Sequence, residues 1–73
     1  MNGGEQAKIL LAEAINCEAA AIPDDVRIGG FDAWDSLAHL RLVLGIEQKI
    51  GRQLDADEAI RIGSLQDIAA LLG

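Results

Sequence analysis

The sequence predicts an all-α fold in which three main helices and one short third helix pack as a four-helix bundle. Two observations carry this. Apolar residues recur at helical spacing in three separate stretches. The apolar half of the chain (51%) is also built mainly from Ala, Leu and Ile, in twelve, ten and nine copies, against two Val and two aromatic residues, Phe31 and Trp34. That mixture favours helices over strands, and so much apolar content argues against disorder. With 73 residues, the chain is read as one domain over 1–73, near the lower size at which a core holds unaided.

Residues 1–4, Met-Asn-Gly-Gly, read as a frayed start. Helix one is predicted from Glu5 to about Cys17. Ala7, Leu10, Leu11, Ala14 and Ile15 share one face, and Glu5 lies at the positive end of the helix dipole. Residues 18–35 hold Pro23, Gly29, Gly30 and four aspartates with no period, so they read as a long loop. Such a loop needs anchors or a function, and Ile22, Val26, Ile28 and Phe31 are the expected anchors. Helix two runs from about Ser36 to Ile50 and stops at Gly51. A short third helix covers 56–61, opened by Asp55 as N-cap with Glu58 three residues on, and Gly63 ends it. Ser64 and Asp67 repeat the capping pattern and open helix four. Its expected buried stripe is Leu65, Ile68, Ala69 and Leu72.

Six basic against twelve acidic residues give a net charge of −6. Without clustered Lys and Arg, neither nucleic-acid binding nor a polybasic membrane anchor is expected. Partners with basic surfaces suit this charge better. No apolar run approaches the ~20 residues that span a bilayer, and a signal-peptide pattern is lacking. The expected protein is cytoplasmic and monomeric. Its one cysteine, Cys17, cannot close an intrachain disulfide and reads as a small apolar residue. One His, one Cys and no Tyr are thin material for catalysis, so a non-enzymatic role is expected, with no metal site.

Helix two carries two apolar faces. At 100° per residue His39, Leu42, Val43, Ile46 and Ile50 fall in one sector, the expected core face. Leu37, Leu40 and Leu44 fall roughly opposite, flanked by Arg41 and Gln48. Either the 18–35 loop covers these leucines, or they form a patch that docks a partner. His39 reads as a histidine at the bundle end with a hydrogen-bonded ring, or as a residue lining an opening into the bundle. Trp34 reads as a lid packed on the loop, with contact to a group outside the domain as the second reading.

Trp34-Asp35-Ser36-Leu37 stands where the loop feeds helix two. Ser36 reads either as a capping serine or as a carrier of a phosphate ester, because free N–H groups and the dipole at a helix N-terminus favour phosphate. No neighbouring His or Lys activates it, so another enzyme would install the group. Asp-Ser-Leu opening an apolar helix resembles the attachment motif of the acyl carrier protein family. The resemblance runs through the whole chain. Ile22-Pro23-Asp24-Asp25 lies in the long loop, Glu47 and Ile50 in helix two, Asp55-Ala56-Asp57-Glu58-Ala59 in the short helix, and Ile62-Gly63-Ser64-Leu65-Gln66 leads into helix four.

The resemblance implies a four-helix bundle of acyl-carrier-protein type that is not an enzyme. It implies that a phosphopantetheinyl transferase attaches 4′-phosphopantetheine from coenzyme A to Ser36, with Asp35 and Leu37 flanking the attachment site. The thiol of that arm would carry acyl or aminoacyl groups as thioesters from a loading ligase or transferase to downstream biosynthetic enzymes. It also implies a docking face of Leu37, Leu40, Arg41, Leu44, Glu47 and Ile62. Fatty-acid carriers have acidic residues directly after Asp-Ser-Leu and near the middle of helix two, and a small residue before the Asp. Here those places hold Ala38, Arg41 and Trp34, which points to a specialised pathway. The alternative is an unmodified helical interaction module that docks through Leu37, Leu40 and Leu44.

Overall fold

The structure, a computed structural model, describes residues 3–72. Helix α1 covers Gly3–Ile15, a 3-10 turn follows at Ala19–Ala21, and then come α2 (Ser36–Ile50), α3 (Ala56–Arg61) and α4 (Leu65–Leu72). The described residues contain no strand, so the all-α expectation holds. Of the start expected to fray, Met1 and Asn2 lie outside the described residues, whereas Gly3 and Gly4 already belong to α1.

Helix α1 ends two residues earlier than its apolar pattern suggests. Asn16 takes the left-handed conformation (φ 58°), and the Cys17 N–H donates back to the Ala12 carbonyl at 3.0 Å. That pairing closes the helix with a Schellman turn. Asn substitutes for the usual Gly because its short polar side chain tolerates left-handed backbone. Helix α2 ends at Gly51, at φ 75°, whose N–H returns to the Glu47 carbonyl.

The core is a layer of α1, α2 and α4 side chains: Ala7, Leu10, Leu11 and Ala14 from α1, Ala38, Leu42 and Ile46 from α2, and Leu65 and Ile68 from α4. On α2 the deepest row runs Ala38, Leu42, Ile46, at i, i+4 and i+8. His39, Val43 and Ile50, expected on the core face, are only half-buried beside it. The row is shifted one position toward Ala38, on a helix against which both α1 and α4 pack.

The 18–35 loop is held by both side chains and backbone. Ile22, Val26 and Trp34 are buried and Phe31 is half-buried. Ile28 corrects its expectation, since its side chain is exposed. Its backbone anchors the loop instead: the Ile28 N–H donates to the Gly63 carbonyl at 3.0 Å, and Arg27 pairs with Ser64 in an isolated antiparallel bridge. A Cβ on Gly63 would lie 3.4 Å from Ile28 Cγ2, an ordinary contact distance. Asp24 forms an ion pair with Lys8 of α1. The lysine hydrogen bond, then its charge, holds the Asp24 carboxyl below its usual range.

Helix α3 buries no residue of its own. It exists because its N-terminal end is capped and it is tethered sideways. Asp55 accepts from the Glu58 N–H at 2.8 Å, and Glu58 accepts from the Asp55 N–H at 3.3 Å, the reciprocal box that the spacing predicts. Gly63 does not end it as expected. The stop is Ile62, whose extended backbone turns its side chain into the core. At α4, Ser64 Oγ accepts from the Asp67 N–H at 3.3 Å, while the Asp67 carboxylate reaches past Ser64 to the Gly63 N–H at 2.9 Å.

These burials separate the two leucine sets of α2. Leu42→Ala is expected to destabilise the fold by about 2–5 kcal/mol in urea unfolding. Leu40→Ala, on the open face, is expected to change it by less than ~0.5 kcal/mol. Equal losses would contradict the assigned rotation of α2.

Candidate functional site

Asp35, not Ser36, caps α2. Its backbone is extended and its Oδ1 accepts from the Ala38 N–H at 2.8 Å. Both residue types can cap, but a carboxylate at the positive helix end adds a charge term that a hydroxyl lacks. This corrects the reading of Ser36 as a capping serine. Ser36 is the first residue of the helix, exposed, and its hydroxyl makes no hydrogen bond among the described residues. The Ser36 and Leu37 N–H groups also find no protein acceptor there, whereas those of Ala38 and His39 are taken by the Asp35 side chain and carbonyl. The start of α2 thus offers a free hydroxyl and two free backbone donors, with one carboxylate alongside.

The second apolar face of α2 is open. Leu37, Leu40 and Leu44 are 57%, 56% and 52% exposed, so the loop does not cover them. Arg41, between them, is exposed and unpaired among the described residues. Two residues of the expected docking face lie elsewhere. Ile62 is 2% exposed, because the backbone turn after α3 drives it into the core. Glu47 is half-buried, and its Oε2 accepts from the Leu54 N–H at 2.8 Å, bracing the turn between α2 and α3. Ile60, which the sequence reading missed, is 78% exposed instead. Ile60 lies within α3 and Ile62 past its end, so no helical spacing relates the two, and the turn after α3 decides which one is buried.

Behind this surface Trp34 is sealed from solvent. Its indole Nε1–H donates to His39 Nδ1 at 3.0 Å, and His39 Nε2 lies 2.8 Å from the Ala59 carbonyl. The two rings stack with centroids 6.0 Å apart and planes inclined by 24°. His39 is therefore the hydrogen-bonded histidine of the first reading. It joins the loop, α2 and α3 within one turn of Ser36. Trp34 is a core residue and more deeply set than a lid.

Helix α3 is further tied by Arg52, whose guanidinium makes two bonds to the Glu58 carboxylate, at 3.1 and 2.9 Å. That pairing, then the Asp55 N–H, lowers the Glu58 carboxyl to about 2. A surface groove of about 490 Å³ lies between the starts of α1 and α4, beside Lys8, Asp24 and Leu65, and Ser36 does not line it. Among the described residues no three His, Cys, Asp or Glu side chains converge on a metal position, and no helix is long and apolar enough to cross a membrane. Comparison with protein-family models gives no match, and comparison with curated proteins gives none either.

Two tests address this end of the molecule. Asp35→Ala is expected to destabilise the fold by about 1 kcal/mol, whereas Ser36→Ala leaves unfolding within ~0.5 kcal/mol of the parent. The reverse order would return the cap to Ser36. Because the folded Glu58 carboxyl is depressed, its contribution is complete above its ordinary value of 4.5 and is lost as pH falls through about 2. Amide exchange in α3 is expected to rise over that interval. Arg52→Gln should move the rise to higher pH.

Proposed function

We propose that the chain is an acyl or aminoacyl carrier protein of acyl-carrier-protein type, with 4′-phosphopantetheine attached to Ser36. The observation that carries this reading is the state of Ser36. It is exposed, freed from capping by Asp35, and set at a helix start whose nearest N–H groups lack acceptors. Such a position suits a phosphodiester electrostatically.

The residues present fit the group. Ser36 Oγ would take the phosphorus from coenzyme A, and the adenosine bisphosphate half would leave. The Ser36 and Leu37 N–H groups would face the ester oxygens. The Asp35 carboxylate opposes the incoming charge, so a transferase would need to supply a cation or basic groups. When attached, the arm supplies a terminal thiol that holds acyl groups as thioesters. Leu37, Leu40 and Leu44 would present the apolar docking face, with Arg41 as its charged member. Glu47 and Ile62 are left out of that face, for the geometric reasons above, and Ile60 is added to it.

Ala38 supports a specialised pathway. It is buried, so the carboxylate that fatty-acid carriers bear at that place could not be accommodated here without opening the core. Partners that read carboxylates along helix two would find Ala38 hidden and Arg41 of opposite sign. A non-enzymatic, cytoplasmic role with a transferase, a loading enzyme and downstream enzymes as partners belongs to the same reading.

The test is intact-mass spectrometry after incubation with coenzyme A, Mg²⁺ and a broad-specificity phosphopantetheinyl transferase. One phosphopantetheine mass is expected on the parent and none on Ser36→Ala. An adduct that survives Ser36→Ala, or none with several transferases, would sink the reading. The open leucine face also favours an unmodified interaction module. A partner whose capture ignores Ser36→Ala but is lost in Leu40→Glu would establish that instead.

A further inference from the structure

The only histidine and the only tryptophan of the chain are bonded to each other. An indole N–H can only donate, so His39 Nδ1 must accept. A carbonyl oxygen can only accept, so His39 Nε2 must donate to Ala59. Together the two contacts require one form of the ring: neutral, with its hydrogen on Nε2. An imidazolium carries a hydrogen on Nδ1 as well, and that hydrogen would point at the indole N–H. Protonation therefore keeps the bond to Ala59 and breaks the bond to Trp34. The buried indole N–H is then left without an acceptor, a state a folded protein relieves by moving the group.

We propose that Trp34–His39–Ala59 is a proton-operated latch on the segment that leads into α2. With His39 neutral the latch is closed, and Trp34 is seated in the core. With His39 protonated the Trp34 side opens, while α3 stays tethered through Nε2. The movement reaches the start of α2 because Trp34 adjoins the capping Asp35 and its own N–H donates to the Phe31 carbonyl at 2.9 Å. Releasing the indole slackens the 31–35 segment and with it the setting of Ser36.

The charged groups on the surrounding elements leave this logic intact. Nearest in the chain to His39 and Ala59, those within 32–41 are Asp32, Asp35 and Arg41, and those from the α3 cap to its end are Asp55, Asp57, Glu58 and Arg61. Asp35 and Asp55 are committed to caps and Glu58 to Arg52. None of the seven bonds to the imidazole. The latch is a property of the fold and stands whether or not Ser36 carries a group.

Nitrogen-15 NMR of the full chain over a descending pH series tests it. The neutral ring is expected as the Nε2–H tautomer. The indole N–H protection factor of Trp34 is expected to fall about tenfold or more in step with protonation of His39, with the helical circular dichroism retained. His39→Gln should keep the indole protected across the range, because its amide can accept from Trp34 and donate to Ala59 without titrating. An Nδ1–H tautomer in the parent overturns the proposal. So does an indole that stays protected through His39 protonation, the same loss of protection in His39→Gln, or loss of the helices before the ring takes its proton. Should His39→Gln fail to fold, the tautomer and the indole protection of the parent decide alone.

Discussion

Leu42 and Ile46 are sealed between α2 and its two neighbours, α1 and α4, and that burial sets the rotation of α2 about its axis. The open leucine face of the candidate site follows from this rotation. With Ala38, Leu42 and Ile46 turned inward, Leu37, Leu40 and Leu44 must turn outward, since they lie on the other side of the helix. Ser36, at the end of the same helix, is left facing solvent. The core row thus orders both the free hydroxyl and the apolar surface beside it, through one packing constraint.

The small third helix depends on a different kind of interaction. It contributes no buried side chain of its own, so burial of apolar area cannot hold it. It is kept by directed bonds: the Asp55–Glu58 box, the Arg52–Glu58 pair, the Glu47 brace to Leu54 and the His39 bond to Ala59. Only Ile62, just past its end, enters the core. Elements held by few polar contacts open at lower free energy than those held by packing. The surface formed by α2 and α3 therefore has one rigid side and one adjustable side.

Much of this was legible in the residues because it is local. The Asp55–Glu58 box and the Ser64–Asp67 cap each lie within one turn, and the residue spacing alone implies them. The two faces of α2 follow from the helical period. The end of α1 was less legible, because the left-handed turn at Asn16 competes with an apolar pattern that runs on to Cys17. The cap of α2 was ambiguous for a similar reason: Asp35 and Ser36 are adjacent capping residues, and only the backbone angles show which one is extended.

By itself, the sequence determined the helical class, the approximate positions of the helices, the N-terminal caps of α3 and α4, and the adjacency of Ser36 to an apolar helix. Those properties arise from residues within a few positions of one another. Tertiary structure alone decided which apolar face of α2 remained open, and that Ile62 is core while Ile60 is surface. It also decided that Trp34 and His39 meet the carbonyl of Ala59, 20 residues beyond the histidine. Each of these outcomes depends on how helices and loop lie against one another. That arrangement is set by the shared burial of distant side chains, which no local spacing encodes.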